Sequence, residues 1–337
     1  MKKLVVISTG GTIACTTGAA GLVPTLSARD ILSRVPRARV FSLDTRTLFS
    51  LDSSNIQPEE WREIAREVYA CLADYDGVVV LHGTDTMAYT ASMLSFMLRG
   101  VNKPVIITGS QLPIDHPHTD AKRNLRHALL AASSPLRGVH VVFDGRIMRG
   151  CRVAKVRTTS RDAFESINAA PVGEVRHGRV RLSPEAQTAS PGPFALDDAL
   201  DTRVFLLKLI PGTHPEIFER LGEMGFRGVV IEGFGLGGIH CLRRNLLDGI
   251  TALLAQGVAV LLTTQCRYEP SDLTVYEPGR LALDSGILQG FDMTSECAVT
   301  KLMWVLGHTS DLAEVRHRMY TSFCGEVTLP EVIPAIS

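Results

Sequence analysis

The sequence predicts an α/β fold, with a doubly wound, mainly parallel sheet in an N-terminal domain and a second, smaller α/β domain behind it. Three observations lead there. Apolar runs of strand length recur along the chain, segments with helical spacing lie between them, and one polar, proline-containing stretch interrupts the pattern past the midpoint. The composition is that of a globular protein: 337 residues, 45% hydrophobic and 21% charged, with Lys+Arg 35 against Asp+Glu 35. At roughly 150 residues per domain the length suits two cores.

The first strand is LVVIS at 4–8, followed by GVVVLHG at 77–83, PVIITGS at 104–110 and VHVVFDG at 139–145. Such continuous apolar runs suit parallel strands covered on both faces. Between them, Trp61, Ile64, Ala65, Val68 and Leu72 give 58–73 a helical face, and Pro58-Glu59-Glu60 supplies a proline and negative charge for its first turn. Met87, Ala91, Leu94 and Leu98 do the same for 86–99, and Leu125, Ala128, Leu129 and Ala132 for 120–132. The first domain is expected over 1–185 and the linker over 186–203, where RLSPEAQTASPGPFALDDALD (181–201) loses all periodicity. The second domain, 204–337, brings strands VFLLKLI (204–210), GVVIEGF (228–234) and VAVLLTT (258–264), with helices at about 215–224 and 245–256.

Several classes of function are disfavoured at this level. A net charge of +0 offers no global field for nucleic acid or anionic lipid, so neither is expected as a partner and a small molecule is. Only Leu4 to Ile7 are strongly apolar after the two N-terminal lysines, too short for the ~7–15 residues of a signal core, and no stretch reaches the ~18 of a membrane span. Seven cysteines without a CxxC pair indicate neither a disulfide framework nor a zinc knuckle. A cytoplasmic protein with free thiols is expected.

In a doubly wound sheet, ligands lie at the carboxyl ends of the strands. The first strand runs into Ser8-Thr9-Gly10-Gly11-Thr12, a glycine turn that could hold an anion on its amides or present Thr12 as nucleophile or ligand. The strand at 77 runs into His82-Gly83-Thr84-Asp85-Thr86. There Asp85 or Thr86 could simply cap the next helix, but a second hydroxyl-rich turn at the same sheet edge invites a shared site. Asp52-Ser53-Ser54-Asn55, just before the helix at 58, reads by itself as an ordinary cap or Asx turn, with a binding turn as the alternative. Lys155 lies among apolar residues; exposed it would snorkel, buried it could act as a base.

STGGTIA (8–14) and LHGTDTMAYTAS (81–92) resemble the two signature segments of the L-asparaginase/glutaminase amidohydrolases. DSSNIQPEEW (52–61), KPVIITGSQLPI (103–114), TDAKRNL (119–125), VVFDGRIMRG (141–150), DAFESIN (162–168) and KLMWVLG (301–307) extend the likeness over nearly the whole chain. It looks most like the bacterial type I, cytoplasmic branch. The resemblance implies Thr12 as the nucleophile that forms a β-aspartyl ester from L-asparagine, with Thr84, Asp85 and Lys155 as a second catalytic set. It also implies a substrate-binding turn at Asp52, Ser53 and Ser54, completed by Thr84 and Asp85, and a homodimer or homotetramer. No cofactor and no metal are expected.

These residue types suit the chemistry. A threonine hydroxyl needs a base before it attacks, and the departing amide nitrogen must gain a proton. The sequence departs from the family pattern at Leu22, which stands where many members carry a flap tyrosine; Thr16 or Thr17 could supply a hydroxyl instead, or the flap could only exclude water. The rival readings are a glutaminase, an ammonia-supplying amidotransferase component, and a non-catalytic amino-acid sensor. The amidotransferase component is disfavoured because it carries an extra N-terminal domain, whereas here the signature begins at Ser8. GFGLGG at 233–238 formally satisfies GxGxxG, but no helix pattern opens there and no acid follows about 20 residues on, so dinucleotide binding is rejected. His116-Pro117-His118 reads as a solvated loop, and the chain has no GxSxG elbow.

Overall fold

The computed structural model describes residues 2–18, 21–35, 41–187 and 192–331. The chain forms two units, Met1–Asp198 and Ala199–Ser337. Residues 188–191 of the expected linker lie outside the described residues. At 195–196 the chain is still tied to the first unit, through an antiparallel pair with residues 98–99.

The first unit runs β1 (Lys3–Gly10), β2 (Cys15–Gly18), β3 (Gly21–Pro24), α1 (Ala28–Ser33), β4 (Ser42–Leu51), α2 (Pro58–Asp74), β5 (Gly77–Leu81), α3 (Met87–Met97), β6 (Leu98–Arg99), β7 (Pro104–Thr108), α4 (Ala121–Ala132), β8 (Gly138–Phe143), β9 (Arg146–Arg149), β10 (Val153–Lys155), β11 (Phe164–Ser166), β12 (Gly173–Arg176), β13 (Arg179–Leu182) and β14 (Ala195–Leu196). Eight strands form one sheet in the order β13-β12-β9-β8-β7-β5-β1-β4. From β4 to β8 all neighbours are parallel, and from β8 to β13 all are antiparallel. The α/β expectation is met.

Alternation along the strands explains how both faces are covered. Leu4, Val6, Val79, Leu81, Ile106 and Val142 share a core with Ile31 of α1 and Leu125, Ala128 and Leu129 of α4. Their neighbours Val5, Ile7, Val78 and Val80 are equally buried. Helix α2 begins as its sequence requires: Pro58 opens the first turn, and the Glu60 carboxylate takes the Gln57 N–H at 2.7 Å. Helix α3 is apolar nearly all round and almost wholly buried, a central helix rather than an amphipathic one.

The chain order of the parallel strands places the site. β4 lies on one side of β1 and β5 on the other, so the winding reverses between β1 and β5. A ligand belongs at such a switch point, beyond the carboxyl ends of those two strands. They end in the Gly10-Gly11-Thr12 and His82-Gly83-Thr84 turns.

The second unit is built on four parallel strands, β15 (Val204–Lys208), β16 (Gly228–Gly233), β17 (Ala259–Thr264) and β18 (Leu288–Gln289), with α5 (Glu216–Glu223), α6 (Leu246–Ala255), α7 (Glu277–Asp284), α8 (Ser295–Leu306) and α9 (Leu312–Met319). Gly233–Gly238 closes on itself, with Phe234 and Gly238 exchanging main-chain hydrogen bonds, and α6 begins only at Leu246. No helix opens on that glycine run, so the dinucleotide geometry is absent among the described residues. Lys301 of α8 is fully buried against Glu326 at 2.7 Å and also donates to the carbonyls of Met319 and Thr321. The Glu326 carboxylate accepts from the N–H groups of Phe323 and Cys324, so both members of the pair are hydrogen-bonded.

Candidate active site

Three turns meet at the switch point, the first two through main chain and the second and third through Ser53. Gly11 lies so close to the second turn that a Cβ on it would sit 2.3 Å from the Gly83 nitrogen. A Cβ on Gly83 would in turn sit 2.4 Å from the Ser53 Oγ. The glycines are therefore required by proximity, and at Gly11 also by a φ of +74°. The Gly11 N–H donates to the Leu51 carbonyl at 2.8 Å, which fastens the first turn to the end of β4.

Thr12 opens a short 3₁₀ turn, Thr12–Ala14, and is half-buried. Among the described residues none hydrogen-bonds its hydroxyl. Thr84 is buried, and its Oγ1 accepts from the Lys155 Nζ at 2.8 Å. The same ammonium meets the Asp85 carboxylate at 2.6 Å. Lys155 is 19% exposed at its side chain and Asp85 60%, so the pair has one wet and one sheltered end. Lys155 reaches this place because β10 pairs with β11 and packs on α3, the helix that Thr84 and Asp85 precede.

The capping alternative for the second turn does not hold. Thr86 occupies the N-cap position of α3 without a capping bond; its hydroxyl donates to the Ser53 carbonyl at 2.7 Å instead. Asp85 gives its main-chain N–H to the Ser53 Oγ at 3.2 Å. Ser53 thus joins the third turn to the second. Asp52 caps that turn: its Oδ1 accepts from the Ser54 N–H at 2.8 Å and the Ser54 hydroxyl at 2.6 Å. These bonds hold its carboxyl below the usual carboxylate range. The Asx-turn and binding-turn readings of 52–55 are compatible, since the bonds that shape the turn leave Asp52 ionised and exposed.

Residues outside the expected set hold the second turn. Trp61 Nε1 donates to Thr90 Oγ1 at 3.0 Å, and Thr90 lies 2.9 Å from His82 Nε2. His82 Nδ1 lies 2.7 Å from the Gly83 carbonyl, which can only accept, so the proton is on Nδ1 and Nε2 accepts from Thr90. Burial pushes the His82 imidazole down to about 4, keeping it neutral. The sequence signal was present, as His82 directly precedes the turn at a strand end, but its partners are scattered over α2 and α3.

β2 and β3 form an antiparallel hairpin in which Thr17 faces Leu22. Leu22 is 55% exposed. Thr16 pairs its hydroxyl with Thr25, the residue after β3, at 2.9 Å, and Thr17 is exposed. Ala19 and Ala20 lie outside the described residues. His116 and His118 are exposed, and the nearby Asp120 carboxylate is occupied by the N–H groups of Gln111 and Leu112.

A doubly wound sheet with hydroxyl-bearing turns at its switch point and a lysine–carboxylate pair behind one of them defines a class of hydrolytic site, and comparison with known proteins places it. Residues 3–188 match the family described as "Asparaginase, N-terminal" and residues 203–319 the "Glutaminase/Asparaginase C-terminal domain". The chain belongs to the asparaginase/glutaminase family of hydrolases. It is 43% identical to an L-asparaginase of Thermococcus kodakarensis, over 97% of this chain and 99% of that protein. It is 40% identical to a component of the glutamyl-tRNA(Gln) amidotransferase of Pyrococcus horikoshii, over 97% of this chain and 77% of that one. The crystal structure of L-asparaginase I from Vibrio cholerae superposes with a TM-score of 0.86 at 31% identity, covering 98% and 100% of the two chains. The thermostable T. kodakarensis enzyme gives 0.92 at 43% identity, covering 97% and 100%. Archaeal relatives supply the higher identities among these, so membership is established for the family and not for its bacterial type I branch.

Proposed function

We propose that the protein hydrolyses L-asparagine to L-aspartate and ammonia through an ester on Thr12. The observation that carries the reading is the Thr84–Lys155–Asp85 chain, bonded at 2.8 and 2.6 Å and set one main-chain contact away from the Gly11-Thr12 turn. Thr12 attacks the side-chain amide carbon, and the oxygen that becomes negative is met by N–H groups of the turns. The proton that Thr12 gives up passes through Thr84 and Lys155 to the departing ammonia, and Asp85 pairs with the lysine and receives the substrate's ammonium. Asp52, Ser53 and Ser54 complete the pocket for the α-carboxylate and ammonium. Water then cleaves the ester. This chemistry calls for no cofactor.

The identity to the archaeal asparaginase supports asparagine as substrate, and the similarity to V. cholerae L-asparaginase I supports a type I enzyme. No described helix is long and apolar enough to cross a membrane. A homodimer or homotetramer completes the reading, on the family resemblance alone. A second reading, glutamine hydrolysis or ammonia supply to a partner, is favoured by the 40% identity to the P. horikoshii amidotransferase component.

Ammonia release from both amides by wild type, Thr12→Ala and Thr84→Ala tests these readings. Wild type should turn over asparagine, and each variant should lose at least ~10²-fold in kcat. Variants as active as wild type would sink the mechanism, asparagine binding without release would favour a sensor, and faster glutamine turnover would favour the second reading.

A further inference from the structure

The turn after β7 reaches the same edge of the sheet, and the proposed chemistry leaves it unused. Gly109 packs so tightly beneath the second turn that a Cβ there would lie 2.2 Å from the His82 carbonyl oxygen. Two residues on, the Gln111 N–H donates to both oxygens of the buried Asp120 carboxylate, at 3.2 and 3.0 Å. Asn124 donates to Asp120 and to the Gly109 carbonyl, both at 3.1 Å, so the turn is fastened at each end.

The side chain of Gln111 is held as firmly. Its Nε2 donates to the carbonyls of Thr158 at 2.9 Å and Ser160 at 3.0 Å, in the loop that follows Lys155. Carbonyls only accept, so the nitrogen must face them and the amide cannot be flipped. The oxygen Oε1 is thereby turned to Thr84 Oγ1, 3.4 Å away. That hydroxyl already accepts from the Lys155 ammonium, which has no lone pair to offer in return. Its single proton is therefore directed at Gln111. At 3.4 Å the contact is long, so it orients the hydroxyl while leaving the proton free to be redirected.

We propose that Gln111 is a positioning residue that acts through Thr84, turning the hydroxyl proton away from Lys155 and presenting an oxygen lone pair to the ammonium. The same amide ties the loop at 158–160 to that hydroxyl, so the lysine-bearing segment and the second turn share one reference point. The inference rests on the amidohydrolase reading above and names a residue beyond the family set already considered.

Two substitutions test it, with wild type measured alongside. Gln111→Leu removes both the acceptor and the donors; kcat should fall by about tenfold or more, as loss of orientation does, while KM moves by less than about threefold. In Gln111→Glu the ionised carboxylate sets acceptor against the two carbonyls, whereas the protonated acid reproduces the amide, with its O–H toward the loop and its C=O toward Thr84. The ratio of Gln111→Glu to wild-type kcat should therefore rise about tenfold between about pH 8 and about pH 5, where an acid in this setting gains its proton. Gln111→Leu should show no such recovery. If Gln111→Leu does not fold, the Gln111→Glu series decides alone. A Gln111→Leu kcat within about twofold of wild type, or a pH-flat Gln111→Glu ratio, overturns the inference. Wild type inactive on both amides would instead remove the reading beneath it.

Discussion

At the scale of single residues, the site depends on atoms that are missing. Gly11 and Gly83 bring three turns within van der Waals reach because neither has a Cβ, and a methyl on Gly11 would overlap the Gly83 nitrogen. Gly11→Ala is thus expected to cost about 1–3 kcal/mol from overlap and left-handed backbone together, and to lower kcat in whatever still folds. Urea unfolding beside an asparagine assay checks both, and a variant of wild-type stability would show that the turns can part without penalty. All seven site residues named from the sequence fall on these turns or beside them. Thr12, Thr84 and Asp85 were legible from position, since residues directly after apolar strand runs stand at the sheet's carboxyl edge, whereas the binding role of Asp52, Ser53 and Ser54 came from the family resemblance. Lys155 had no such warrant from spacing, because it is brought in by a short antiparallel pair that nothing in the residue pattern announces.

At the scale of elements, the buried strands and amphipathic helices are readable and the edges are not. β4 escapes a sequence reading although it runs for ten residues, because its half-exposed position at the end of the sheet lets Asp44, Arg46 and several hydroxyls replace a continuous apolar run. β8 is legible as a strand, but its antiparallel return through β9 depends on the left-handed turn at Asp144-Gly145. Helix α3 shows what α2 does for the site. The Trp61–Thr90–His82 chain crosses from one helix to the other and ends on the Gly83 carbonyl. Thr90→Val keeps the shape and strips this chain of its middle member, leaving the Trp61 N–H and the His82 Nε2 buried without partners. Each orphan costs about 1–3 kcal/mol, so a lower melting temperature together with reduced kcat is expected. A stability equal to wild type would mean the chain is dispensable.

For the whole molecule, the buried imidazoles set the acid limit. His82 and His140 are both fully buried and both pushed down to about 4, chiefly by loss of solvation. The unfolded chain binds their protons near pH 6.5, so between about 6.5 and 4 it takes up protons that the native state refuses. Their stabilisation is complete above that window and disappears as pH falls through it, on the order of 3 kcal/mol for each histidine. Below it Glu326 takes over. Burial alone would raise its carboxyl, but Lys301 and the N–H groups of Cys324 and Phe323 bring it under the usual value, so its share is kept above the ordinary carboxylate range and lost as that group protonates. Urea unfolding at stepped pH should show stability falling from about pH 6.5 downward, with His140→Gln reducing the slope; a flat profile over that window would contradict the burial argument.

The crowding of Gly11 against Gly83 also decides where this protein can change. Because main chain meets main chain there, no side chain can be added at Gly11 without parting the two turns. Side chains are freer to change where they are exposed, as in the Cys15–Pro24 hairpin that follows the first turn, whose Leu22 is largely exposed. An engineer seeking a longer or shorter amide, or natural drift between the two, would begin at that hairpin and leave the strand ends alone.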